Sequence, residues 1–317
     1  MDNEFSPRPT SPVLVIGSAS VDMIGRLRSE ISLGTSNPAH IRSSFGGVGR
    51  NIAENLAHLG QPVILLSAVG QDRAGKQLLT EMENFGVDIQ HTIQSAQHPT
   101  GTYLGIVDQK GELEVALDDM RVISEITPDY IHQVEHLFKE ASAVYIDANL
   151  TKETIRSIVS LARKAKAPIC ADPTSFSLAV KLKPYLKHIT MLTPNFTEVG
   201  ILSDRKISPT RRSDALQAAK DLVSVGLSIV AVVMPDLDVI YATTETSGLI
   251  SAIHSPIVDP TGAGDALSAA VLFGLLSDMP VDDAVRLGAS ALSLTMSQIG
   301  SVVPDLSLQK LYDHLVA

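Results

Sequence analysis

The chain has 317 residues, 44% of them hydrophobic, which is ample for a large buried core and argues against disorder. Asp and Glu outnumber Lys and Arg by 35 to 25, and the resulting formal charge of −10 repels polyanions, so no nucleic acid partner is expected. No apolar run approaches the roughly 20 residues that cross a bilayer, so no membrane partner is expected either.

Residues 1–11 are acidic and proline-rich, lack the basic start and apolar middle of a secretory signal, and read as a disordered tail before one domain over residues 12–317. The β-branched run 13–16 predicts a first strand, residues 51–59 a helix closed by Gly60, and residues 63–68 a second strand. This β-α-β rhythm continues with strands at 143–147, 168–171, 189–192 and 229–233, separated by helices at 152–165, 176–186 and 213–225. A mostly parallel sheet covered by helices follows. Two stretches break the rhythm: residues 18–45, and residues 101–117, where alternating runs flank the turn Asp108-Gln109-Lys110-Gly111 and predict a hairpin. If they pair, segments 18–45 and 97–120 make a small β lid over the carboxyl ends of the parallel strands, where open α/β sheets bind ligands. The single cysteine, Cys170, cannot form an internal disulfide; a buried, inert thiol and a reducing, cytoplasmic location are expected.

The strongest chemical signal is Asp259-Pro260-Thr261-Gly262-Ala263-Gly264-Asp265, which runs directly into the apolar helix 266–276. Small residues at a helix start expose unpaired amides at the positive end of the dipole, an anion hole for phosphate oxygens and for charge developing in phosphoryl transfer. Asp265 beside it is placed to accept a proton from an attacking hydroxyl. A second signal, Gly46-Gly47-Val48-Gly49-Arg50-Asn51, permits close backbone approach to a ligand and offers Asn51 to sugar hydroxyls. It lacks Gly-x-Gly-x-x-Gly spacing, which argues against a dinucleotide site. Asp22, just after the first strand, can accept two hydroxyls of a vicinal diol, although a turn Asp accounts for it equally simply. Asn195 and Glu198 can share a magnesium hydration shell, or form a plain helix-capping pair.

In this order the four elements resemble the ribokinase-like, or PfkB, carbohydrate kinase family across essentially the whole chain after the tail. The two family signatures map to residues 46–56 and 259–265. The resemblance implies a three-layer α/β/α sandwich with a β lid, ATP and Mg2+ as cofactors, a monovalent cation such as K+ as an accessory, and a homodimer. Carried over residue by residue, Asp265 is the base and Gly262, Ala263 and Gly264 form the anion hole. Asp22, Gly46, Gly47, Asn51 and Asn149 bind the nucleoside, and Asn195, Glu198 and Thr261 serve ATP and phosphate, with Glu198 reaching the metal through water. Within the family the chain is similar to the branch whose acceptor is the 5′-hydroxyl of pseudouridine. Segments 17–22, 36–38, 45–53, 117–120, 147–149 and 304–307 carry that likeness. Asn37 and Asp118 are the candidates for reading the base edge, with turn and lid-surface roles as the alternatives.

Two departures stand out. Ser20 occupies a position where relatives carry Asn. After strand 229–233 the family's glycine-containing loop is replaced by Met234-Pro235-Asp236-Leu237-Asp238, in which Pro235 removes an amide and two carboxylates add negative charge near a nucleotide. Another nucleoside or ribose kinase of the family, and a nucleoside-binding protein without turnover, therefore stay open as alternatives.

Overall fold

The computed structural model describes residues 11–316 apart from His254, so the expected tail, but for Ser11, lies outside the described residues. In chain order the elements are β1 (Val13–Ile16), β2 (Ser20–Leu27), β3 (Ala39–Gly46), α1 (Val48–His58), β4 (Val63–Leu66), β5 (Ala68–Gly70), α2 (Arg73–Asn84) and β6 (Ile93–Ser95). A hairpin of β7 (Gly101–Val107) and β8 (Leu113–Asp119) follows, then α3 (Pro128–Gln133), α4 (Glu135–Glu140), β9 (Ala143–Asp147), α5 (Lys152–Ala165), β10 (Ile169–Asp172) and β11 (Met191–Leu192). The chain closes with α6 (Phe196–Leu202), α7 (Arg212–Val225), β12 (Ile229–Val233), β13 (Val239–Thr243), β14 (Ser247–Ile250), α8 (Ala263–Leu276), α9 (Val281–Met296) and α10 (Leu308–Val316).

All four residues of β1 are buried because successive side chains enter different cores. Leu14 and Ile16 join one core with α3 to α7, while Val13 and Val15 join the other with α1, α2, α8 and α9. Helices thus cover both faces of an eight-stranded sheet in the order β14-β13-β12-β11-β10-β9-β1-β4. Pairing is parallel from β4 to β12 and antiparallel through β13 and β14. Cys170 lies on β10 at the centre of this sheet, fully buried, and burial pushes its thiol pKa up.

Both predicted excursions fold into one four-stranded sheet in the order β3-β2-β7-β8. Several expectations shift in detail. Residues 176–186, predicted as a helix, form two short 3-10 turns, Ala179–Lys181 and Lys183–His188, because Pro184 cannot donate to the helical ladder. The strand predicted over 63–68 divides at Ser67 into β4 and β5, the latter pairing with β6. α1 and α8 begin three residues earlier than their apolar periodicity implies, at Val48 and Ala263. Among the described residues no helix is long and apolar enough to cross a membrane.

Candidate active site

Carboxylates collect where the parallel strands end, the edge at which such sheets bind ligands. Asp147 ends β9, Asp172 ends β10, and the loop after β1 leads into Asp22. Asp147 is fully buried and accepts from the Ser18 amide (2.7 Å), the Ser18 hydroxyl (2.8 Å), the Gly49 amide (3.1 Å) and the Asn149 amide. It pins the β1 loop to the start of α1. Gly17 has no side chain because a Cβ there would lie 2.4 Å from Asp147 Oδ2. Asn149 joins the same network by donating to the Ser18 hydroxyl (3.0 Å), so it supports the site through Ser18.

The glycine pair acts inwardly. A Cβ on Gly46 would overlap the Asp22 carboxylate, and one on Gly47 would lie 2.6 Å from the Ser18 carbonyl oxygen, so the space these glycines leave is filled by the protein itself. Gly46 lets Asp22 lie against the end of β3, and Gly47 lets the β1 loop lie against the start of α1, a packing role beside the expected approach to a ligand. Ser20 donates to Asp22 Oδ1 (3.0 Å), a bond that does not use Oδ2. Burial raises the pKa of Asp22. Register places Ser44, Asp22, Tyr103 and Asp118 in one row across the small sheet, with Asp118 at its exposed end. Asn37 does not join this row. Its carboxamide accepts from the Ser32 amide (2.7 Å) and donates to the carbonyls of Ser32 and Thr35, so it organises its own loop. The turn role is the one realised.

α8 is capped by Gly262, whose φ of 75° and a Ser301 carbonyl crowding the position of a Cβ both require glycine. Twelve of the fourteen residues of α8 are buried, so its first turn is held rigidly. The Ala263 amide makes a long bond to Pro260 O (3.3 Å), and the amides of Gly264 and Asp265 fall in the turn where a helix offers no acceptor. A Cβ on Gly264 would meet nothing within 4 Å, so this first turn borders open space. Thr261 donates to Asp259 Oδ1 through both its amide (3.1 Å) and its hydroxyl (2.8 Å), which fixes the loop ahead of the helix.

Asp265 is buried and accepts from Asn51 Nδ2 (2.7 Å). Asn51 Oδ1 in turn accepts from Arg50 (2.9 Å) and Ser301 (3.0 Å), which fixes which end of the carboxamide meets the acid. Arg50 is itself paired with Glu54 one turn along α1. Burial pushes the Asp265 carboxyl up to about 7; the Asn51 bond opposes this, and the charges of Asp147 and Asp22 add to it.

On the far side of Asp265 lies a cavity of about 380 Å³, lined by the start of α8 together with Asp172, Thr174, Asn195, Glu198 and Leu237. Asn195 and Glu198 form a full capping box at α6: Asn195 Oδ1 accepts the Thr197 and Glu198 amides, and Glu198 Oε2 accepts the Asn195 amide. The capping alternative is therefore real, yet it leaves Glu198 Oε1 outside the box. Asp172, which the sequence motifs did not single out, lines the same cavity. Burial raises its pKa well above the ordinary range, and the nearby charges of Asp265 and Glu198 raise it further. Thr174, with a φ of 64° strained for a β-branched residue, is locked there by bonds to Asp172 and Ala148. Among the described residues no group of three or more His, Cys, Asp or Glu side chains is placed to hold a metal alone. The hard oxygens present fit Mg2+, which uses one or two carboxylates alongside waters and phosphates. Buried carboxylates short of positive charge fit the arrival of that ion.

The altered hairpin between β12 and β13 is less hostile to a nucleotide than its composition implies. Arg212 pairs with Asp236 (2.7 Å) and with Asp238 (2.6 Å), so one guanidinium offsets half of the added negative charge, and Leu237 contributes to the cavity wall. A larger groove of about 1110 Å³, flanked by β3, α1 and α2, contains neither Asp22 nor Asp265.

The profile of pfkB family carbohydrate kinases matches residues 11–307. Pseudouridine kinase of Escherichia coli (strain K12) is 34% identical over 297 residues, covering 93% of this chain and 94% of that protein. Guanosine-inosine kinase of Exiguobacterium acetylicum is 29% identical over 297 residues, covering 93% and 97%. Among solved structures, a carbohydrate kinase from Agrobacterium tumefaciens superimposes with a TM-score of 0.81 at 27% identity, covering 97% of each chain. Arabidopsis thaliana ribokinase complexed with ribose and ATP gives a TM-score of 0.83 at 21% identity, over 96% of this chain and 98% of that one, and shares the fold.

Proposed function

Because the chain belongs to the pfkB family of carbohydrate kinases, we propose that it transfers the γ-phosphoryl group of ATP to the 5′-hydroxyl of a ribonucleoside, with pseudouridine as its preferred acceptor. The observation that carries the reaction type is Asp265, set between the Asn51 carboxamide and the open amides at the start of α8. Asp22 accepts ribose hydroxyls through Oδ2 and orients the sugar. Asp265 accepts the proton of the attacking hydroxyl through Oδ1, the oxygen that Asn51 leaves free. The amides of Gly264 and Asp265 hold the charge that builds on the transferring group. Mg2+, when bound, neutralises phosphate oxygens; Glu198 and Asp172 would hold its water shell, and Asn195 fixes Glu198 in place. The hydrogen-bonded carboxylate of Asp265 stays buried throughout, so the proton passes to it without solvent.

The acceptor rests on the 34% identical relative and on the row Ser44-Asp22-Tyr103-Asp118, whose outer end can reach a base edge. The guanosine-inosine kinase likeness favours, as a second reading, another ribonucleoside as acceptor. We take residues 12–317 as one kinase domain whose small sheet acts as the lid, working in the cytoplasm where ATP is supplied. The outer face of that sheet exposes Ile41 (68%), Leu117 (61%), Val115 and Met23, an apolar patch suited to a second copy of the chain. The deciding assay is ADP release with Mg-ATP and saturating pseudouridine, uridine, guanosine, inosine or ribose. The highest kcat/KM with pseudouridine supports the proposal. Preference for another acceptor replaces the substrate, and silence with all of them while nucleosides bind favours a protein without turnover.

A further inference from the structure

Asp259 stands at the head of the anion-hole loop with its carboxylate almost fully buried. Oδ1 accepts from Thr261, while Oδ2 accepts the Gly300 amide (3.2 Å) and Arg42 NH2 (2.5 Å). Three separate pieces of chain meet on this one group: strand β3 of the small sheet, the loop 259–262, and the loop after α9. That last loop also carries Ser301, whose backbone presses on Gly262 and whose hydroxyl bonds Asn51, so both sides of the catalytic apparatus touch it. Arg42 lies opposite Ile24, on the same face of the small sheet as Asp22, and is the one cation within ion-pair distance of Asp259 among the described residues. A buried carboxylate without a counter-charge is strongly disfavoured and recruits a proton or an ion.

We propose that Arg42 is a positioning residue that ties the small sheet to the anion-hole loop and acts as the resident counter-cation of Asp259, so that turnover needs no monovalent cation from solution. The accessory K+ expected from the family resemblance is thereby replaced by a guanidinium of the chain itself. The inference rests on phosphoryl transfer, not on which acceptor is used. Because Arg42 is half-exposed, its removal leaves the core intact; what changes is the loop that presents the amides of Gly264 and Asp265.

Turnover is measured in N-methylglucamine buffer with and without 100 mM KCl, for wild type, Arg42→Ala, Arg42→Lys, Asp259→Asn and the Arg42→Ala/Asp259→Asn double variant, using whichever acceptor wild type turns over. Wild type is expected to be indifferent to K+. Arg42→Ala loses roughly 10- to 100-fold in kcat, the scale of a misplaced catalytic group, with smaller changes in KM. K+ or guanidinium restores part of that loss, Arg42→Lys is intermediate, and the double variant is no worse than the worse single one. Wild-type kcat in Arg42→Ala, a wild type that requires K+, or additive losses would each overturn the proposal. Melting temperatures in the same buffers decide the case without turnover: K+ stabilises Arg42→Ala by mass action and leaves wild type unchanged. Equal K+ responses in the two proteins reject the resident cation even if no acceptor is found.

Discussion

With its carboxyl lifted to about 7, Asp265 is only partly ionised at neutral pH, and the base form grows as pH rises. The pH profile of kcat/KM, which reports the free enzyme, is therefore expected to climb through about 7 and level off above it. A flat profile from pH 6 to 8 would remove Asp265 as the base. The same shift bears on folding. The native pKa exceeds the ordinary 3.8, so between the two values the folded state binds more protons than the unfolded one, and stability from this group declines as pH rises. Asp265→Asn is thus expected to lose roughly 10²- to 10⁴-fold in kcat while melting higher than wild type at pH 8, a gain that shrinks toward pH 4. A melting difference independent of pH would contradict the shift. Asp22→Ala is expected to raise the acceptor KM by roughly 10- to 100-fold, the worth of a charged hydrogen bond, with ATP affinity little changed; calorimetry with each ligand checks the split.

The first turn of α8 separates folding from function within two glycines. Gly264→Ala adds a methyl where the fold has room and replaces a poor helix former by a good one, so the melting temperature should hold. That methyl enters the cradle for phosphate oxygens, and turnover should fall roughly tenfold or more through kcat and the ATP KM. Gly262→Ala meets the Ser301 carbonyl and a φ of 75°, and should lower the melting temperature. Unchanged activity in the first variant, or unchanged stability in the second, would refute this division. The same contrast explains what the sequence could disclose. Motif glycines, Asp265 and the β-α-β rhythm are local patterns, and they were legible. Whether a glycine faces ligand or chain is decided by a partner far away in sequence, as with Gly46 against Asp22 or Gly262 against Ser301. Asp147 gathers Ser18 across 129 positions and Arg42 reaches Asp259 across 217, so neither contact leaves a spacing to read. Asn37 and Thr261 are ambiguous for the complementary reason: short polar side chains bond to near neighbours, Asn37 to the Ser32 and Thr35 backbone and Thr261 to the Asp259 carboxylate, as readily as to a ligand.

Across the whole molecule, one sheet with helices on both faces holds the carboxylate edge rigid, while a second sheet is tied to the loop before α8 by the Arg42–Asp259 contact. If two copies join through Ile41, Val115 and Leu117, then Leu117→Glu should convert a dimer into a monomer by light scattering while the isolated chain keeps its fold; a wild-type monomer at micromolar concentration would reject that interface. Cys170 sits on β10 in the middle of the central sheet with its thiol held protonated by burial. A thiol-specific reagent can reach it only when β10 separates from its neighbours, so the rate of alkylation is a clock for cooperative opening of the entire domain. Since the chain has no other cysteine, that clock has a single hand. Slowing of the reaction by a nucleoside or by Mg-ATP would measure, without any turnover, how firmly each ligand closes the protein around itself.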